Sequence, residues 1–203
     1  MWKIISYVFH PILMPTLGIF IVMVSDPYIY QVLDGLSPWL IFLSSIFVCT
    51  AVMPVSLSWL LLKMGRVTSL SQPTDNDRKQ LMAFTELWFI LAYFAVHNIP
   101  SVGRSLTYYM LGVNIAMIAT LLTSLITKVS IHAVGIGGIL GTIIGMMYYT
   151  RVQMLPQVAI AIALVYLVGF SRYKLKAHNG GDIFIGNIIG ISCQALVFFV
   201  GAR

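Results

Sequence analysis

A chain of 203 residues that is 59% hydrophobic and only 9% charged, with a mean hydropathy of +0.93, cannot cover a soluble domain. Soluble domains carry about a quarter of their residues as Asp, Glu, Lys and Arg. Composition therefore predicts an all-α, polytopic membrane helix bundle, with residues 1–203 forming a single integral membrane domain. The net charge of +6 comes from basic residues scattered over short loops rather than stacked along one face. That pattern argues against nucleic acid, and for the bilayer and phosphorylated lipid headgroups as partners.

A membrane crossing needs about twenty predominantly apolar residues, and seven segments meet that requirement. The first runs from Ile5 to Ser25 and is interrupted by His10-Pro11 and Pro15, which predict a kinked, tilted or re-entrant course. No small-x-small cleavage pattern follows it, so it is expected to stay in place as an extra segment, residues 4–25, ahead of six core helices in residues 38–203. The core helices are expected at Pro38 to Leu62, Leu81 to Ile99, Ser105 to Ile126, Ala133 to Tyr149, Met154 to Phe170 and Ile183 to Val200. The segments from Ala133 and Met154 are short, with a tight turn at Thr150-Arg151 between them.

Gly137, Gly141 and Gly145 recur every fourth residue, and Gly186 and Gly190 repeat the spacing in the last segment. Small residues at that interval let membrane helices approach backbone to backbone, which marks them as scaffold. Cys49 and Cys193 both lie inside apolar runs, predicting neither a disulfide nor a thiolate metal site. The eleven methionines read as apolar filler. No metal and no cofactor are expected.

If every segment crosses, alternation gathers the N-terminus, the loop from Lys63 to Gln80, the turn from Lys128 to His132 and the loop from Ser171 to Asp182 at one end. Asp26, Asp34, Arg104, Arg151 and Arg203 fall at the other. Nine of the twelve Lys and Arg lie at the first end, which the positive-inside rule assigns to the cytoplasm.

The first end carries Ser171-Arg172, then five residues, His178, three residues and Asp182. Arginine holds phosphoryl oxygens through a planar fork, and histidine can attack phosphorus. A carboxylate on the far ring nitrogen fixes the histidine tautomer. Among other polar residues, Glu86 lies a little over one turn into the third segment and is placed either to pair with Arg78 or Lys79 or to reach water. His97 and Asn98 read as helix-terminal residues, and His10 as a kink residue outside the catalytic set. An ion-coupled transporter would need mid-membrane ionisable groups and a duplicated half, neither of which the sequence clearly offers.

The Ser171 to Asp182 run resembles the third signature motif of the type 2 phosphatidic acid phosphatase family, matching at every defined position. That family also includes acid phosphatases and vanadium haloperoxidases. Val129-Ser130-Ile131-His132 is similar to its second motif, Pro-Ser-Gly-His, at the serine and the histidine only. The first motif, a lysine ahead of Arg-Pro, has Lys128 alone near its expected place. Arg66, Arg78 and Lys79 at the same end are other sources of that charge.

The resemblance implies a hydrolase of phospholipid metabolism, a metal-independent lipid phosphate phosphatase of a bacterial inner membrane. His178 would be the nucleophile that forms a phosphohistidine, and Asp182 would orient it. Arg172 and Ser130, with Lys128 and Arg78, would hold the phosphoryl oxygens. His132 would protonate the leaving lipid oxygen and then activate water. The resemblance implies a periplasmic site, which is the expectation here over the cytoplasmic one that the charge count gives, because the counted charges include the expected ligands. The degraded first and second motifs keep a second reading open, a relative that binds a phosphorylated lipid as carrier, sensor or assembly factor.

Overall fold

Apolar runs that cross a bilayer must satisfy their backbone groups internally, and the described chain does so as helix throughout. The computed structural model describes residues 1–32, 36–70, 73–99 and 102–202. In chain order these form α1 (Trp2–Val8), a 3-10 turn (Pro11–Leu13), α2 (Met14–Ser25), α3 (Pro27–Val32), α4 (Leu36–Phe47), a π turn (Val48–Val52) and α5 (Met53–Lys63). They continue as α6 (Asp75–His97), α7 (Arg104–Thr123), α8 (Ile131–Thr150), α9 (Leu155–Lys174) and α10 (Gly180–Gly201). Seven stretches are long and apolar enough to cross a membrane: Trp2–Ser25, Ser37–Lys63, and each of α6 to α10. The protein is an all-α, integral membrane helix bundle.

The two largest shifts from the boundaries that hydropathy predicts are at α6 and α9. Helix α6 begins at Asp75 rather than Leu81, because Thr74 and Asp77 form a reciprocal capping box. The Thr74 hydroxyl accepts from the Asp77 N–H at 3.1 Å, and the Asp77 carboxylate accepts from the Thr74 N–H at 3.2 Å. Helix α9 continues to Lys174, so Ser171 and Arg172 stand on its last turn rather than in a loop. Helices α8 and α9 are 20 residues each and not short. Polar residues in a terminal turn hold helical geometry while carrying no apolar signal.

Proline sets both breaks within the first two crossing stretches. The first is not one helix: His10 caps the 3-10 turn, Pro11 opens it, and Pro15 sits in the first turn of α2. In the second, Pro54 can neither donate an N–H nor tolerate a normal turn below it, and the widened π turn lies directly ahead of it. Thr50 in that turn is buried, donating to the Ile46 carbonyl at 2.9 Å and sharing a 3.1 Å hydroxyl contact with Thr16 of α2.

The N-terminal segment is part of the core. Ile19, Val22 and Met23 are fully buried, and the Tyr109 hydroxyl of α7 donates to the Met14 carbonyl at 3.0 Å. The opposite end of the bundle gathers Asp26, Tyr28, Arg104, Tyr149 and Thr150 around one open cleft, with the Asp26 carboxylate accepting from Ser105 Oγ and the Tyr28 N–H. Alternation thus holds for Asp26 and Arg104; Asp34 and Arg203 lie outside the described residues.

Helices α8 and α10 run parallel and in closer contact than any other pair. A Cβ on Gly190 would collide with the Val134 carbonyl oxygen and the Gly138 amide nitrogen, and one on Gly141 with the Ile191 backbone. This approach sets the start of α8 against the start of α10, where the Ser130 N–H donates to the Asp182 carbonyl at 3.1 Å. At Gly138, by contrast, a Cβ would meet only Gln194 Cγ at 3.7 Å, an ordinary contact. Gly190→Ala should therefore destabilise the bundle by at least about 1–3 kcal/mol, and Gly138→Ala should be neutral or slightly stabilising. Thermal unfolding of the two variants in detergent checks the difference.

Candidate active site

Because α6, α8 and α10 start at the same end of the bundle and α5, α7 and α9 finish there, their terminal turns enclose one space. It is a cavity of about 440 Å³, lined by His10, Arg78, His132, Arg172 and His178 and walled by apolar residues including Leu81, Met82, Phe89, Met117 and Ile131. Among the described residues three imidazoles and two guanidiniums line it, and no carboxylate does. The N-terminal ends of three helices add positive potential at the same place.

His178 is joined to Asp182, Nδ1 to Oδ2 at 3.1 Å. The contact agrees with the four-residue spacing, but the two do not share a helical face. Asn179 is the N-cap of α10, so His178 precedes the helix, and Asp182 is the third residue of its capping box. The same carboxylate accepts the Asn179 N–H at 3.3 Å, while the Asn179 side chain accepts the Asp182 N–H at 2.9 Å. With Nδ1–H committed to the carboxylate, the Nε2 lone pair of His178 is free.

His132 stands in the first turn of α8, with Nε2 3.2 Å from the Ser6 carbonyl of α1. A carbonyl only accepts, so Nε2 carries the proton and Nδ1 is the nitrogen that can gain or lose one. Ser6 also takes the Arg172 guanidinium, Nη1 donating to its hydroxyl at 3.0 Å. Arg172 Nε is buried without a hydrogen-bond partner among the described residues. From across the cavity Arg78 Nη2 donates to the Val129 carbonyl at 3.1 Å, which ties α6 to the turn ahead of α8.

The remaining expected ligands are not gathered there. Ser130 is fully buried beneath α10 and does not line the cavity; its hydroxyl has no hydrogen-bond partner among the described residues. Lys128 is exposed in the link before α8 and lines a small adjoining pocket of about 50 Å³ with Asp75, Arg78 and Lys79. Ser171 is buried, its hydroxyl turned back to the Val168 carbonyl at 2.8 Å. Glu86 neither pairs with Arg78 or Lys79 nor reaches water: it is buried, and among the described residues both its oxygens are without a hydrogen-bond partner. His97 stacks on Tyr93 at 5.6 Å at the far end of α6.

Two residues of the site escape sequence reasoning. Ser6 gives no signal, because it acts partly through its backbone carbonyl. His10 gives one, since alternation puts it at this end, but its place beside proline reads as structural.

Burial holds the His178 pKa below its ordinary value, with Arg78 and Arg172 adding to the shift and the Asp182 hydrogen bond opposing it. The unfolded chain therefore binds this proton first, and the contribution of His178 to stability is complete above about pH 6.5 and lost as pH falls towards the lower folded value. Thermal unfolding should show that decline on acidification, and His178→Gln should make it shallower. In Asp182→Asn the His178 imidazole should titrate lower still, as read by NMR.

No protein-family model, no curated protein and no solved structure matches this chain.

Proposed function

We propose that the protein is a lipid phosphate phosphatase that hydrolyses a phosphomonoester or diphosphate of a membrane lipid through a phosphohistidine. The observation that carries this reading is the shared cavity of His178, His132, Arg172 and Arg78, in which Asp182 leaves the His178 Nε2 lone pair free.

His178 Nε2 attacks phosphorus, and the bond from phosphorus to the lipid oxygen breaks. His132, protonated on both nitrogens, gives its Nδ1 proton to that oxygen, so the lipid leaves as a neutral alcohol or as its monophosphate. A water then attacks the phosphohistidine and passes a proton to His132 Nδ1, which frees inorganic phosphate and restores both imidazoles. Arg172 and Arg78 neutralise the charge that spreads over the phosphoryl oxygens during transfer. The apolar walls of the cavity suit the first carbons of the lipid chain.

The test is phosphate release from a panel of lipid phosphates by purified protein. His178→Ala should abolish turnover, a loss of several orders of magnitude, and Arg172→Ala should cost about 2–4 kcal/mol in kcat/KM. Tight binding of a lipid phosphate with no turnover by the unaltered protein would instead favour the carrier or sensor.

We place the site at the cytoplasmic face of a bacterial inner membrane, contrary to what the family resemblance implies. Setting aside the two cavity arginines, the described residues at this end still include Lys3, Lys63, Arg66, Lys79, Lys128, Lys174 and Lys176, against Arg104 and Arg151 at the other. In whole cells, with Cys49 and Cys193 replaced by serine, Gln157→Cys should react with an impermeant thiol reagent and Arg66→Cys should not. Labelling of the second alone would put the site outside.

A further inference from the structure

His10 is the one imidazole at the cavity with no place in the reaction above. It stands at the break between α1 and α2, and its ring lies edge-on to that of His132, with centroids 5.6 Å apart and planes at 77°. Its Nδ1 accepts the Ile12 N–H at 3.4 Å as the cap of the 3-10 turn. A ring nitrogen that accepts carries no proton, so in the neutral ring the proton is on Nε2. Among the described residues nothing accepts from that Nε2–H.

In their neutral forms the three imidazoles of the cavity are thus two tautomers, each fixed by its own partner: His178 carries its proton on Nδ1, and His132 and His10 carry theirs on Nε2. His178 donates from Nδ1 to Asp182 and keeps a bare Nε2, whereas His132 donates from Nε2 to Ser6 and keeps a bare Nδ1. His10 keeps neither nitrogen bare: Nδ1 is engaged by the cap, and Nε2–H is a donor without an acceptor. A neutral donor suits a space already lined by two guanidiniums, because it adds a contact to an anion without adding repulsion between cations.

Phosphoryl transfer loads charge onto three equatorial oxygens, which need donors in place before the reaction. Two residues expected as donors do not reach the cavity, since Ser130 is buried beneath α10 and Lys128 lies outside. Arg172, Arg78 and His10 do reach it. We propose that His10 Nε2–H is a phosphate-binding donor, supplied by the N-terminal segment, to a non-bridging oxygen of the headgroup phosphate. This rests on reading the cavity as a phosphate site.

Two substitutions separate donor from cap. In His10→Gln the side-chain amide nitrogen reaches nearly to the position of the ring Nε2 and keeps the donor. In His10→Asn the side-chain oxygen falls near the position of Nδ1, which keeps the cap for Ile12 and removes the donor. His10→Asn should lose about 10²–10³-fold in kcat/KM on a lipid phosphate while His10→Gln stays within about tenfold of the unaltered protein. Equal losses, or the reverse order, would overturn the proposal and leave His10 a cap.

If the unaltered protein hydrolyses none of the lipid phosphates, the phosphatase reading fails, and the donor is read from binding instead. Titration of the purified protein with inorganic phosphate, followed by phosphorus NMR, should then show weaker binding by His10→Asn than by His10→Gln, by about tenfold or more. Equal affinities of the two variants, or no phosphate binding by the unaltered protein, would overturn it.

Discussion

Everything at the cationic end of this bundle depends on how closely two helix backbones can lie. Lipid is as apolar as the side chains it surrounds, so helices gain little from burying apolar surface against one another and must associate through direct contact. Gly137, Gly141 and Gly145 on α8 and Gly186 and Gly190 on α10 remove the side chains that would hold the pair apart. Since the two helices are parallel, this contact brings their N-caps side by side. The Ser130 N–H then reaches the Asp182 carbonyl, and the turn carrying His132 is fixed relative to the one carrying His178.

That same approach explains which residues the cavity receives. Backbone contact at Gly186, where a Cβ would come within 2.7 Å of the Ser130 carbonyl, goes with full burial of Ser130. The tight seam that aligns the histidines thus withdraws a serine from them. The N-terminal segment offsets the loss, because the proline-enforced break ahead of α2 turns Ser6 and His10 towards His132 and Arg172.

The crossing stretches were legible in the sequence because hydropathy measures what a bilayer selects. Their ends were less so. Thr74 and Asp77 start α6, and Asn179 and Asp182 start α10, through hydrogen bonds that an apolarity count does not register. The pairing of His178 with Asp182 follows from their separation, yet its cause is a capping box and not a shared helical face. Ser6 was invisible because a backbone carbonyl has no residue signature. Lys128 and Ser130 sit within four residues of His132, but exposure of the one and burial of the other depend on α10, which is distant in sequence.

The partner of Arg172 carries one more consequence. Its guanidinium is held by the uncharged Ser6 hydroxyl and not by a carboxylate. An arriving anion would exchange a neutral hydrogen bond for an ionic one, with no competing negative charge to expel. The hold of the N-terminal helix on the end of α9 thus rests in part on an uncharged contact.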